Sequence, residues 1–168
     1  MNNNPLIPSS EAYRLIRSFE SLRCRAYKAL PTEKYYTIGY GHCSPKVAKN
    51  ELVTPKRAEE MLVEDVEKYS HLLAGWNPTL TQRQYDALVS LIYNIGWYNF
   101  RFSMTGVYVR ELNTSRNPID VARRIILWVR SADKVILGLQ KRRCIEANYF
   151  LGYECFNIEN GQIYEHSI

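Results

Sequence analysis

Thr54-Pro55-Lys56-Arg57-Ala58-Glu59-Glu60-Met61-Leu62-Val63-Glu64-Asp65-Val66 is where the chain changes character. Thr54 can accept a hydrogen bond as an N-cap. Pro55 suits the first helical position, where its missing N–H is not needed. Ala58, Met61, Leu62, Val66, Tyr69 and Leu73 then recur at helical intervals and mark one apolar face. The pattern predicts one long amphipathic helix, over about residues 56–74. Strand-like sequence precedes it and helical sequence follows, so the fold class is α+β, mostly α.

Toward the N-terminus, Leu15, Ile16, Phe19 and Leu22 follow the capping pair Ser9-Ser10 and predict a helix over about residues 10–22, with Glu20 near its end. Residues 29–34 read as a turn. Tyr35-Tyr36-Thr37-Ile38-Gly39-Tyr40-Gly41-His42 has the aromatic and β-branched content of a strand broken by glycines, hence a small β-hairpin region. Toward the C-terminus, Gly75-Trp76-Asn77-Pro78 is a linker, and Thr81 with Gln84 forms a capping box opening a helix with Leu88, Leu91, Ile92 and Ile95. Further helices are expected around residues 103–112, from Pro118 (capped by Asn117) through Trp128, and over about residues 139–151 with Gly152 as C-cap. This gives a single domain over residues 1–168. Its parts are an N-terminal helix with the hairpin lobe (about 1–55), a linking helix (about 56–74), a helical lobe (about 75–156) and a polar tail (157–168).

With 46% hydrophobic and 23% charged residues among 168, the chain can bury a sizeable core, and neither disorder nor a fibrous repeat fits. The formal charge of +5 favours an anionic partner: nucleic acid, an acidic membrane surface or an anionic cell wall. The tightest basic cluster, Lys141-Arg142-Arg143, is too short for a nucleic-acid arm, and no basic stripe supports that class. No apolar run reaches membrane-spanning length, and Met1-Asn2-Asn3-Asn4-Pro5 shows no export signal, so no stable membrane insertion is expected. Cys24, Cys43, Cys144 and Cys155 lie far apart without CxxC spacing, which argues for reduced thiols over a metal site or disulfide framework.

Glycoside hydrolysis needs a carboxylic acid to protonate the leaving oxygen and a second group across the sugar to activate water. Glu20 at a helix end and Thr37 on the strand can line two sides of such a cleft, although a glutamate there is more often a solvated charge. Ser18-Phe19-Glu20-Ser21-Leu22-Arg23, Ala26-Tyr27-Lys28 and Tyr36-Thr37-Ile38-Gly39-Tyr40-Gly41-His42 form an ordered set. Leu80 to Ser90, Tyr93-Asn94-Ile95-Gly96, and Gly138-Leu139-Gln140-Lys141-Arg142-Arg143 with Glu146 complete it. The set resembles the phage lysozyme family, glycoside hydrolase family 24, and covers about residues 11–152.

That resemblance implies a lysozyme-like fold, with the cleft between the hairpin lobe and the bundle. It also implies a cofactor-free, metal-free muramidase cutting the β-1,4 bond between N-acetylmuramic acid and N-acetylglucosamine. Peptidoglycan glycan strands would be its partner. The protein would be a monomer, made in the host cytoplasm and acting on the wall after release. Carried over residue by residue, Glu20 is the general acid and Thr37 helps to place water, while Tyr93, Ser103 and Arg142 fall at substrate-binding positions. Each also has an ordinary reading: core packing for Tyr93, a helix cap for Ser103, a solvated face for Arg142.

The family spaces its catalytic Glu, Asp and Thr by eight and five residues. Here the Asp position is Ala29, and seven residues separate it from Thr37. Alanine offers no proton acceptor, so a substitute base is required for full activity. Glu33 in the lengthened turn is the candidate, ahead of Cys24, whose commoner role is a small apolar filler. His42 reads as holding the hairpin rather than as a base. The alternative function is a catalytically silent peptidoglycan-binding protein that keeps the lysozyme fold.

Overall fold

The computed structural model describes residues 6–28, 30–77 and 79–166. Helix α1 (Ser10–Phe19) starts where Ser9 Oγ accepts the Glu11 N–H. Ser9 is itself tied to α3, its N–H and hydroxyl both donating to the Asp86 carboxylate, at 3.0 and 2.5 Å. The helix stops three residues earlier than its apolar spacing predicts. Glu20 adopts extended dihedrals (φ −100°, ψ 120°), and Leu22, counted as part of the apolar face, lies in the exposed run leading into the sheet.

Strands β1 (Arg23–Tyr27), β2 (Tyr36–Gly39) and β3 (His42–Ser44) form an antiparallel sheet in sequence order. Residues 51–53 run along the outer edge of β1, where the Ala26 N–H reaches Glu51 O and the Val53 N–H reaches Cys24 O, both at 2.9 Å. The hairpin expected from the sequence is therefore one part of a broader sheet. Tyr27 pairs with Thr37, and Thr37 with Cys43. Directly paired residues project to one face, so these three share a side. Ile38 and Ala26 take the other side, where they close a small core with Val47 and Met61.

Helix α2 (Pro55–Ala74) starts as predicted, with Thr54 Oγ1 accepting the Arg57 N–H. It serves two cores: Met61 packs under the sheet, while Leu62, Val66 and Leu73 join the main core. Helix α3 (Gln82–Ile95) is the centre of that main core and is buried continuously from Gln84 to Ile92. The short helices α4 (Trp97–Arg101), α5 (Met104–Glu111) and α6 (Pro118–Ile125) wrap around it. A two-stranded turn, β4 (Arg130–Ser131) and β5 (Lys134–Val135), leads into α7 (Leu137–Leu151), which ends at Gly152 in the left-handed region (φ +90°).

Two boundaries differ from the sequence reading. Ala12 and Ile16 of α1 pack with Leu88 and Ile92 in the main core, so α1 belongs to the helical lobe rather than to the hairpin lobe. The stretch read as a polar tail is largely a hairpin, β6 (Phe156–Glu159) and β7 (Gln162–Glu165). Asn148 on α7 fixes it: its Oδ1 accepts the N–H groups of Cys155 and Phe156, and its Nδ2 donates to Phe156 O. Arg123 on α6 pairs with Glu165 at 2.7 Å. The segment looks polar because only Phe156, Ile158 and Ile163 turn toward the core.

Candidate active site

Glu20 sits where α1 breaks into β1, so its side chain is carried by the rigid helical core yet emerges beside the sheet. Its side chain is about one-fifth exposed, and Oε1 accepts from Arg142 Nη1 at 2.5 Å. A Cβ added to Gly41 would lie 3.4 Å from Glu20 Oε2 and 3.8 Å from the Tyr93 ring. Gly41 also has φ +94°, a conformation that a side chain disfavours, so only glycine lets the β2–β3 turn close on the carboxylate.

Arg142, read from the sequence as a substrate-binding position or as part of a solvated helix face, is not on a solvated face. It is 3% exposed and lies behind Glu20, with Nε donating to Glu146 Oε1 at 3.0 Å and Nη2 to Ser90 O at 3.1 Å. Its guanidinium carbon lies 4.9 Å from the centre of the Phe19 ring. Glu146 also accepts from Ser90 Oγ at 2.7 Å and from Arg143 Nη1 at 2.5 Å, while Arg143 Nη2 donates to Asn94 Oδ1. Burial lowers the Arg143 pKa to about 10. Two carboxylates and two guanidiniums thus balance in a mostly water-free cluster, the arrangement that makes buried charge tolerable. The spacing of Arg142, Arg143 and Glu146 on one helix was the available sequence signal for this cluster. That Ser90 and Asn94 on another helix complete it was not legible.

Thr37 projects from the sheet face shared with Tyr27 and Cys43. The Tyr27 pKa is raised chiefly by burial; Arg23, stacked 4.3 Å from its ring centre, lowers it, and the Glu20 and Glu33 charges raise it further. The Glu33 backbone is held by an N–H bond to Leu30 O at 3.0 Å. Ala29 lies outside the described residues. Tyr27 had no assigned role in the sequence reading, because its alignment with Thr37 appears only once the register is known.

Tyr93 donates to Tyr40 O at 2.7 Å and meets Tyr69 edge-on, and burial pushes its phenol well above the usual range. It walls a cavity of about 390 Å³, whose sheet side is Gly41 to Pro45 and whose far side runs from Tyr93 to Gly96, with Asp65 and Tyr69 of α2 between. His42 Nδ1 lies 2.8 Å from Asp65 Oδ2, joining β3 to α2, as the holding role requires. Ser103 uses its hydroxyl locally, accepting from the Gly106 N–H and donating to Phe100 O, and does not line this cavity. Cys24 is half-buried and Cys43 exposed, and all four cysteines are free thiols. Among the described residues, no group of three or more His, Cys, Asp or Glu is placed to hold a metal, and no helix is long and apolar enough to cross a membrane.

This geometry has relatives. The phage lysozyme family model matches residues 17–146. The chain is 41% identical over 157 residues to an endolysin of Bacillus phage PZA, covering 91% of this chain and 58% of that protein. It is 35% identical over 147 residues to an endolysin of Acyrthosiphon pisum secondary endosymbiont phage 1, covering 84% of this chain and 96% of the relative. Among solved structures, the muramidase domain of SpmX from Asticaccaulis excentricus superimposes with a TM-score of 0.75 at 31% identity, over 87% of this chain and 98% of that one. The endolysin from Escherichia coli O157:H7 phage FAHEc1 does so with 0.73 at 28%, over 89% and 96%. The chain spans little more than half the length of the Bacillus phage endolysins it matches, 58% and 56%. With Glu20, the buried arginine behind it and the glycine turn in one matched span, the chain belongs to the phage lysozyme family.

Proposed function

We propose that the protein hydrolyses the β-1,4 bond between N-acetylmuramic acid and N-acetylglucosamine in peptidoglycan, with Glu20 as general acid. The observation that carries this reading is the position of the Glu20 carboxylate, gripped on Oε1 by Arg142 and with Oε2 beside Gly41, a residue that also lines the 390 Å³ cavity. In this mechanism Glu20 protonates the leaving oxygen. Thr37 orients the attacking water, and Glu33 accepts its proton in place of the family aspartate. Tyr93 forms part of the wall against which the glycan lies, and Arg142 positions the acid. The described residues act as one unit, as a monomer made in the host cytoplasm and reaching the wall after release.

Release of reducing ends from purified peptidoglycan tests the assignment. Glu20→Gln is expected to abolish it. Glu33→Gln should lower kcat by about 10²- to 10⁴-fold, the usual worth of general base assistance. Equal rates for wild type and Glu20→Gln would refute the acid, and a wild type that binds glycan without cutting it would favour the silent binding protein.

A further inference from the structure

The positive charge of the chain is concentrated in the sheet lobe, on groups that the proposed chemistry does not use. Residues 23–53 carry Arg23, Arg25, Lys28, Lys34, Lys46 and Lys49 against Glu33 and Glu51, a net of +4 out of the chain's +5. The remaining 137 residues hold 16 basic against 15 acidic side chains. Pairing is just as uneven. Arg14, Arg17, Arg116 and Arg123 each sit on a carboxylate, whereas among the described residues none of the six sheet-lobe cations is held in an ion pair. Arg23 lies 4.3 Å from the Tyr27 ring centre, Lys28 5.0 Å from that of Tyr36, and Lys34 5.1 Å from that of Tyr35. Arg25, Lys46 and Lys49 are exposed, and Glu51 closes its own loop by accepting the Ala48 N–H at 2.8 Å.

Cations left unpaired at a surface raise the local concentration of an anionic partner, and guanidinium and ammonium groups donate well to phosphate oxygens. The bridge between Arg25 and Leu52 sets the loop bearing Lys46 and Lys49 against the strand bearing Arg25, while Lys28 and Lys34 extend the charge into the turn after that strand. None of the six lines the 390 Å³ cavity. Charge distributed over a strand, a turn and a loop exceeds the reach of one small anion, whereas a flexible chain of repeating charges can follow all three. We propose that the sheet lobe binds a linear phosphodiester polymer of the cell wall, of the poly(glycerol phosphate) type, on a surface separate from the glycan cleft. This inference rests on the glycan-cleaving reading above for its place of action, the wall, and adds a second ligand there.

Fluorescence anisotropy of a labelled, soluble poly(glycerol phosphate), titrated with the full chain over a salt series, tests it. Arg25→Gln with Lys46→Gln and Lys49→Gln should weaken binding about 10- to 100-fold at about 50 mM salt, and should flatten the slope of log affinity against log salt by about 2, the ion release of three contacts. Lys46→Arg with Lys49→Arg keeps the charge and should bind like the wild type. Removing three charges from the helical lobe, by Arg101→Gln with Arg110→Gln and Lys141→Gln, should weaken binding by less than about 3-fold, because distant charges are screened. Equal losses in the two triple variants would overturn the proposal by making total charge the determinant. Tighter binding of phosphatidylglycerol vesicles, or of duplex DNA of equal charge, lost with the sheet-lobe substitutions, would overturn it in favour of a lipid or nucleic-acid contact. Reducing-end release from peptidoglycan stripped of the polymer should be the same for the wild type and the sheet-lobe variant. Failure of the catalytic reading looks different: that release would be equal with and without Glu20→Gln, whatever the polymer affinity.

Discussion

The sheet lobe and the helical lobe hold their shapes by different means, and the candidate site is built across the difference. The sheet buries Ala26, Ile38, Val47 and Met61 against one stretch of α2, with the His42–Asp65 contact as a polar tether. The helical lobe surrounds α3 with apolar residues from α1, α2, α5, α6 and α7, and adds the Glu146 ion cluster. Glu20 belongs to the second body, Thr37 and Glu33 to the first. The proposed acid is therefore fixed by the larger core, while the groups proposed to handle water ride on a thin lobe whose position depends on α2.

The strongest way to break this comparison is at the buried charge cluster. Glu146→Ala leaves two guanidiniums without their shared carboxylate and is expected to cost about 3–5 kcal/mol in urea unfolding, with Arg142, the partner of Glu20, losing one of its own anchors. A loss under 1 kcal/mol would mean that the cluster adjusts freely. Next, Leu88→Ala and Ile38→Ala remove comparable apolar volume from fully buried positions in the two cores. Both fall within about 2–5 kcal/mol, and the helical-core change should cost more, because tightly surrounded cavities collapse less. Equal costs would erase the distinction between the lobes.

Gly41→Ala combines left-handed strain of about 1–2 kcal/mol with a methyl against Glu20 and Tyr93. Glycan hydrolysis should fall more than thermal stability does.

The smallest effect is pH-linked. The bond to Asp65 raises the His42 pKa above 6.5, against a loss from burial. A raised folded-state value means that the stabilisation is complete below about pH 6.5 and disappears as pH rises through the folded pKa. The difference between wild type and Asp65→Asn, about 1 kcal/mol at pH 6, should therefore shrink by pH 9. A difference that grows toward pH 9 would contradict the tether.

Local signals were read well where a single segment decides the outcome. Thr54-Pro55 and the Thr81–Gln84 capping box start α2 and α3 where the sequence places them. The end of α1 was misplaced because Leu22 continues the apolar spacing although the chain has already turned extended at Glu20. The hairpin at residues 156–165 was missed because its anchor, Asn148, sits on a different element. The same limit governs the site. Glu20 and Thr37 were recognisable as residues, but the grip of Arg142 on Glu20 joins positions 122 apart in sequence.

Residue spacing, capping chemistry and motif order by themselves determined a long linking helix, a mostly helical second half, a strand-and-glycine stretch after the first helix, and membership of Glu20 in a recognisable pattern. These depend on interactions within a few residues, which periodicity records. Tertiary structure alone decided that Arg142 is buried against Glu20, that Tyr27 aligns with Thr37, and that α1 joins the helical core. Those outcomes depend on which distant groups share a desolvated space, and a one-dimensional pattern carries no measure of that.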